Sequence, residues 1–185
     1  MRKRLSELNS VDWRNVRTAH GTAEHVPDAL RALAQAQNAE DLYAAYWRLD
    51  NFIVLQGTLY ESAYFAAPYI VDILLASQWT PLRIAAYDLA IEIARGVPDP
   101  LHVWVPPAGA PANLRDACRA IIVSGLDDYE ADLRSPDPEV RRRALDLLTS
   151  FNGGLKTRLQ RVLAGIDAGE DEGFAKLLER TKREL

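Results

Sequence analysis

The 185-residue sequence holds a single cysteine, Cys118, and no apolar run as long as a membrane span. One cysteine can build neither a disulfide framework nor a thiolate metal cluster, so the composition fits a reducing compartment. A transmembrane helix needs about 20 consecutive apolar residues. The first seven residues, MRKRLSE, lack the apolar core of a secretory signal. We therefore expect a cytoplasmic protein that does not enter a membrane.

Signatures of catalysis are also missing. The sequence has three histidines but no HExxH motif, no paired His-Glu steps and no CxxC spacing, so a metal site has no support. Gly153-Gly154 lacks the lysine and the strand of a phosphate-binding loop, and neither Ser62 nor Ser124 lies in a Gly-x-Ser-x-Gly setting. We interpret Cys118 as a small buried hydrophobe. The expectation is a protein that is not an enzyme, with no catalytic residue, metal or cofactor.

Positive charge is scarce in one part of the chain. The net charge is −4, and residues 21–79 carry seven acidic residues against two basic ones, Arg31 and Arg48. Residues 1–20 have the opposite balance, with five Lys or Arg and two acidic residues. An acidic surface in the first half would attract a partner with a basic surface.

The sequence does contain helical periodicity nearly throughout, and no convincing strand. Start and stop signals predict eight helices. Pro68 lies inside the third and should kink or divide it. The predicted helices are 28–37, 38–57 with Asn38 as the cap, 58–79 opened by a capping box at Thr58, 80–96, 113–132, 135–151 stopped by Asn152-Gly153-Gly154, 155–168 and 170–185.

Residues 97–112, VPDPLHVWVPPAGAPA, contain too many prolines for a regular helix. They predict a long loop, and loops of this length in a compact protein often carry function.

The helices follow one another in pairs, and one pattern occurs twice. TPLRIAAYDLA (80–90) and DPEVRRRALDLL (137–148) share a proline in the first turn, an aliphatic-Arg step, an alanine and an Asp-Leu step. The spacing is about one HEAT repeat plus the Pro-rich insertion. The sequence therefore predicts one all-α domain over 1–185, a HEAT-like α-solenoid of about four antiparallel helical pairs with a loop at 97–112.

The second helix mixes polar and apolar residues in YWRLDNFIVLQG (46–57). Wound at about 100° per residue, it has one apolar stripe through Leu49 and an adjoining one through Tyr43 and Trp47, with Asp50 in the same sector. So wide an apolar sector indicates a helix clasped by neighbours on both sides. We expect Asp50 to accept hydrogen bonds from backbone amides, an indole or a phenol, and Gln56 to pin a turn, because a buried carboxylate must be satisfied.

The first half also resembles a known family. Trp13, then Ala19-His20-Gly21-x-Ala23 and Val26-Pro27, and later Gln56-Gly57-Thr58-x-Tyr60 and Pro68, match the signature of bacterial HEAT-like proteins over about residues 11–95. The resemblance implies an α-solenoid. Some members of such families resemble immunity proteins, which bind and silence a toxin secreted against competing bacteria.

Three classes of function remain open. A solenoid presents an extended concave surface, so we expect a protein-binding module, and the resemblance makes a toxin-neutralising immunity protein its specific form. A HEAT-like scaffold for another protein is the first alternative. A HEAT-like DNA glycosylase is the second, but the basic residues of 141–143 and 156–161 interleave with acidic ones, which disfavours a nucleic-acid surface.

Candidate contact residues come from three places. On the loop, an aromatic side chain among aliphatics either packs back on the helices or anchors a partner. In the first half, acidic residues outnumber bases, and two polar residues of the second helix lie away from its apolar stripes. The candidates are Trp104, His102 and Val105 on the loop, Glu40, Asp41 and Glu61 among the acids, and Arg48 and Asn51 on the second helix.

Overall fold

The computed structural model describes residues 5–169 and 171–185, and within them the chain is mostly helical. The all-α class predicted from the sequence is confirmed at this level. The helices are α1 (Val26–Gln35), α2 (Ala39–Ile53), α3 (Glu61–Ala76), α4 (Thr80–Arg95), α5 (Leu114–Ile122), α6 (Leu126–Asp132), α7 (Pro138–Thr149), α8 (Asn152–Ala164) and α9 (Glu172–Glu184).

The described residues include five strands of two residues each, so the expectation of no convincing strand is wrong in detail. β1 (Arg17–Thr18) pairs with β2 (Gly21–Thr22) in an antiparallel hairpin. β3 (Val54–Leu55), β4 (Thr58–Leu59) and β5 (Val97–Pro98) form a second sheet, antiparallel between β3 and β4 and parallel between β4 and β5. Strands this short carry no alternating pattern that a sequence could reveal.

The chain divides into two compact units, Met1–Ser124 and Gly125–Leu185. In the first unit, α3 packs against α1, α2, α4 and α5, and α2 and α4 also contact each other. In the second, α7 packs against α6, α8 and α9. The organisation of 1–185 as one solenoid domain stays a prediction.

α3 is the helix around which the first unit is built. Its nine buried residues cover a sector of about 200° at 100° per residue, which is wider than the single stripe of a surface helix. Pro68 lies inside it, and α3 nevertheless runs unbroken from Glu61 to Ala76. Of the two outcomes predicted for Pro68, a kink or a division, the division is wrong, because packing on four neighbouring helices offsets the hydrogen bond that the proline cannot make.

The turn between β3 and β4 corrects two predicted helix boundaries. α2 ends at Ile53, and the chain then forms a hairpin whose two turn residues, Gln56 and Gly57, have φ of 51° and 79°. Positive φ at both positions is the requirement of a type I′ turn, which favours glycine. Thr58 is therefore a strand residue and no helix cap, and α3 begins three residues later. The predicted cap at Asn38 is confirmed, since its Oδ1 accepts the Asp41 amide at 2.9 Å.

Two other predicted boundaries differ from the structure, the first for a steric reason. The predicted helix over 113–132 is interrupted by a 3-10 turn at Val123–Gly125. A side chain at Gly125 would come within 2.4 Å of the Tyr129 hydroxyl, so only glycine allows the buried Tyr129 ring to lie there. Asn152-Gly153-Gly154 does follow the end of α7, but these residues begin α8.

Candidate protein-binding surface

The loop after α4 is anchored at its start by main-chain hydrogen bonds. The Val97 amide donates to Gly57 O at 2.8 Å and the Asp99 amide to Leu59 O at 3.1 Å. Residues 99–112 then run without helix or strand up to Asn113, which caps α5 by accepting the Arg115 and Asp116 amides. The predicted loop at 97–112 is therefore confirmed except for its first two residues, which are β5.

Asp99 shapes the next turn. Its Oδ1 accepts the Leu101 amide at 2.9 Å, and its Oδ2 is hydrogen-bonded to His102 Nδ1. The side chain of Asp99 is 12% exposed and that of His102 43%. The carboxylate thus holds the imidazole in one orientation, with the ring open to solvent. Asp99 was not among the residues singled out in the sequence.

Trp104 packs back on the helices. Its ring lies 5.1 Å from the ring of Tyr64 on α3, and its Nε1 donates to Pro111 O at 3.2 Å. The indole therefore links the middle of the loop to Pro111 near its end and to α3. Of the two roles open to Trp104 in the sequence, the structure shows the internal one.

The aliphatic residues around Trp104 are not packed. Leu101 is 86% exposed, Val103 91% and Val105 72%, and Val97 at the loop's start is also exposed. Leu101, Val103 and Val105 lie at every second position of one short segment, and soluble proteins rarely leave large apolar patches to solvent without a use. We call Val97, Leu101, Val103 and Val105 the loop patch.

A groove lies beside the loop patch. Glu61 at the start of α3 lines one side, together with Arg17 of β1, and its Oε2 accepts the Arg17 amide at 3.2 Å. His102, Val103 and Trp104 line the other side. Three of the predicted contact residues, Glu61, His102 and Trp104, are thus brought together here, although they are far apart in the sequence.

The remaining predicted contact residues lie elsewhere in the first unit. Glu40 and Asp41 are exposed in the first turn of α2, and Asp41 also serves as an internal partner because Asn38 Nδ2 donates to its Oδ2 at 2.7 Å. Arg48 is exposed and Asn51 half-buried on the same helix. None of the four is among the residues that line the groove.

The second apolar stripe of α2 is an exposed surface, which corrects the expectation of a helix clasped on both sides. Tyr43 is 63% exposed and Trp47 49%. Leu42, Ala45, Leu49 and Ile53 form the buried stripe. Apolar periodicity predicts a stripe through Tyr43 and Trp47 but cannot tell a buried stripe from an exposed one. The stripe itself is therefore present, and its predicted burial is wrong.

Asp50 is half-buried. Its partner is a phenol, which is one of the three donors expected from the sequence. Tyr46, one turn earlier, donates its hydroxyl to Asp50 Oδ1 at 3.2 Å. Burial raises the pKa of the Asp50 carboxyl, and the Tyr46 hydrogen bond acts in the opposite direction. Both residues belong to α2, so this hydrogen bond lies within one helix.

Three arginines of the second unit have internal partners. Arg141 donates to Ser135 O at 3.0 Å and to Asp171 Oδ2 at 3.1 Å, and its guanidinium lies 5.2 Å from the centre of the Phe174 ring. Arg142 is bonded to Asp171 as well, at 3.0 Å. Arg158 pairs with Asp127 and Glu130. These arginines join helices within the unit.

Cys118 is fully buried, as interpreted from the sequence, and burial raises the pKa of its thiol to about 12. Residues 5–169 and 171–185 contain no group of three or more His, Cys, Asp or Glu side chains that could hold a metal ion. No helix in the same described ranges is both long enough and apolar enough to cross a membrane.

Comparison of the chain with protein-family models, with curated proteins and with solved structures finds no match. The surface itself is therefore the basis on which a function is inferred.

Proposed function

We propose that this protein is a protein-binding module, and that its specific role is to neutralise a cognate bacterial toxin by stoichiometric binding. The observation that carries the binding role is the loop patch, three of whose side chains are more than 70% exposed. Burying apolar area contributes about 25 cal/mol per Å². A partner that covers these side chains gains that free energy.

The loop patch is suited to binding because its backbone is anchored. The sheet bonds of Val97 and Asp99, the Asp99–His102 turn and the Trp104–Tyr64 contact fix the segment at several points. A loop held in its bound conformation loses less conformational entropy on association than a free one. The indole is in this sense a support for the exposed aliphatics.

The toxin-directed form of the proposal rests on the family resemblance of residues 11–95. We propose with it that the helical pairs stack as in HEAT solenoids. The alternation of contacts in the first unit, α1 with α3, α2 with α4 and α3 with α5, supports such a stack. Inhibition by occlusion then requires one protein molecule per toxin molecule and no turnover.

Co-expression with the product of the adjacent gene tests the proposal. The decisive variant is Leu101→Ser combined with Val103→Ser and Val105→Ser, which removes the exposed apolar area and leaves Trp104, Asp99 and the sheet intact. We expect a wild-type melting temperature, loss of the copurified complex and loss of growth rescue.

A matched control changes two exposed charged residues of the second unit, Lys176→Ser and Glu172→Ser. This control should retain both the complex and the rescue. Full binding by the loop variant would rule out the loop patch as the interface. Protection by the purified protein at a small fraction of the toxin concentration would contradict stoichiometric inhibition and indicate an enzyme.

A further inference from the structure

A second exposed surface lies on the first unit, where α2 packs against α4. Glu40, Tyr43, Trp47 and Asn51 follow one another at spacings of three and four residues along α2. At 100° per residue they fall within a sector of about 80°. Two members of this sector are large aromatic side chains, with Tyr43 63% exposed and Trp47 49%. These four residues therefore share one side of α2.

Carboxylates border the aromatic pair. Tyr46 lies beside Trp47, with the ring centres 5.1 Å apart, and its hydroxyl donates to Asp50. Burial raises the pKa of Tyr46, and the negative charge of Asp50 raises it further. We call Glu40, Tyr43, Trp47 and Asp50 the acid–aromatic strip.

The nearest base on α2 belongs to another side of the helix. Arg48 follows Trp47 by one residue, which turns it by about 100°. Its charge acts on His25, a residue outside the strip. The aromatic faces of the strip are therefore bordered by negative charge on α2 itself.

This combination selects one kind of ligand. The face of an indole or phenol ring attracts a cation, and arginine in particular stacks on aromatic rings while it hydrogen-bonds carboxylates. A nucleic acid would be repelled by the same carboxylates. A second copy of this surface would be repelled as well, because it presents the same charges.

We propose that the acid–aromatic strip binds an arginine- or lysine-rich segment of a protein partner. Cations of the segment lie over Trp47 and Tyr43, and the bordering carboxylates accept their hydrogen bonds. The strip is separate from the loop patch, so this inference adds a second contact and rests on the proposed function only in taking the partner to be a protein.

A defined probe tests the strip without any toxin. Binding of a synthetic peptide of alternating arginine and serine is measured by calorimetry and by tryptophan emission. The comparison peptide carries citrulline, which has the shape of arginine without its charge, at every arginine position. We expect the arginine peptide to bind at least tenfold more tightly. Equal binding of the two peptides would overturn the proposal.

Variants locate the binding. Trp47→Ala and Tyr43→Ala should each weaken the arginine peptide by about fivefold to tenfold, and Trp47→Phe should restore most of the loss because it keeps a ring. Trp104→Ala, an aromatic residue of the loop, is the control and should bind as the wild type does. An equal loss in Trp47→Ala and Trp104→Ala, with both proteins folded by circular dichroism, would also overturn the proposal.

Net charge needs its own control. Glu40→Gln with Asp50→Asn removes two charges from the strip, and Glu24→Gln with Glu172→Gln removes two exposed charges elsewhere. Only the first pair should weaken binding of the arginine peptide. Equal weakening by both pairs would show a general charge effect and refute a specific strip.

The two proposals fail independently. The loop variant with serine at 101, 103 and 105 should still bind the arginine peptide, and Trp47→Ala should keep the loop patch intact. If the loop variant loses the cognate partner while peptide binding persists, each surface acts by itself. Loss of peptide binding in the loop variant would contradict the separate strip.

Discussion

The two compact units of the chain treat their surfaces in opposite ways. In the first, large hydrophobic side chains are exposed at six positions, and in the described part of the second there are none. The second unit instead joins its exposed and half-buried arginines to carboxylates of its own helices. The exposed positions of the first unit are Tyr43, Trp47, Val97, Leu101, Val103 and Val105.

The difference indicates separate roles for the paired arginines of the second unit and the exposed aliphatic side chains of the first. An arginine that is already bonded to two internal carboxylates contributes to the stability of its own unit. An aliphatic side chain left at more than 70% exposure gains nothing in the free protein and gains on association. Binding is therefore expected of the first unit, and the arginines of the second are expected to hold its helices together.

The largest expected effect on stability belongs to Arg141. Arg141→Met removes the bonds to Ser135 and Asp171 and the contact with the Phe174 ring, so the free energy of unfolding should fall by about 2–3 kcal/mol. Urea unfolding measures the change. The matched control is Arg180→Met, whose exposed pair with Glu184 is worth at most about 1 kcal/mol. An equal fall in unfolding free energy in the two variants would contradict the stabilising role assigned to Arg141.

Trp104 tests whether the exposed loop of the first unit serves binding. Trp104→Ala removes the support of the loop patch, so we expect partner binding to weaken by about 2 kcal/mol. Hydrogen exchange of the amides in 99–112 should become faster in the free protein. Trp104→Phe keeps the contact with Tyr64 and should lose less. Faster exchange without any loss of binding would separate the loop from the interface.

Charge reversal should act on the rate of association. Glu40→Lys with Glu61→Lys is expected to slow binding of a basic partner by roughly tenfold at low salt, with a smaller effect at high salt, because exposed charges steer the encounter. Asp41 is left unchanged since it bonds to the Asn38 cap. Glu172→Lys with Glu179→Lys in the second unit is the control. Stopped-flow mixing should find a slower rate for the first pair alone.

Asp50 tests whether the exposed side of α2 contributes to stability. Asp50→Ala leaves the half-buried Tyr46 hydroxyl without its acceptor, and the free energy of unfolding should fall by about 1 kcal/mol. Asp50→Asn keeps an acceptor and removes a charge that burial disfavours, so at neutral pH it should be at least as stable as the wild type. Thermal unfolding compares the three proteins. Unchanged stability of the alanine variant with lost binding would show a functional carboxylate.

The smallest expected effect is a pH dependence from His25. Burial lowers the pKa of this histidine below its ordinary value of about 6.5, and the Arg48 charge acts in the same direction. On acidification the unfolded chain therefore binds the proton first, and stability falls as the pH drops below about 6.5. His25→Phe should flatten this fall and His20→Phe should keep it. Identical profiles of the wild type and His25→Phe would contradict the assignment.

How far the sequence could be read differs between particular residues. Asn38 and Gly96 bound helices in the structure as the local signals predict, because capping depends on groups within one turn. Thr58 carries the same kind of signal and was misread, because Gln56-Gly57 turns the chain into a hairpin first. Pro68 was misread for the opposite reason, since four packed neighbours keep α3 continuous.

In the candidate surface, too, some features follow from local sequence and others from packing between distant segments. Apolar residues among prolines at 97–112 indicate an unusual loop, and the sequence alone named Trp104, His102 and Val105 there. It gave no reason to place Glu61 beside them, because the groove depends on β5 pairing in parallel with β4 across nearly forty residues of chain. Asp99 was missed since a single Asp in a loop has no periodic signal.

By itself, then, the sequence determined the helical class, most helix ends, the position of the long loop and the acidic balance of the first half. These follow from periodicity, capping and composition, which act over a few residues. Only the tertiary structure decided that Tyr43 and Trp47 face solvent, that Trp104 supports its exposed neighbours, and that Arg141 is bonded within its own unit. Those outcomes depend on which surfaces meet, and contacts between distant segments are fixed by the packing of the whole chain.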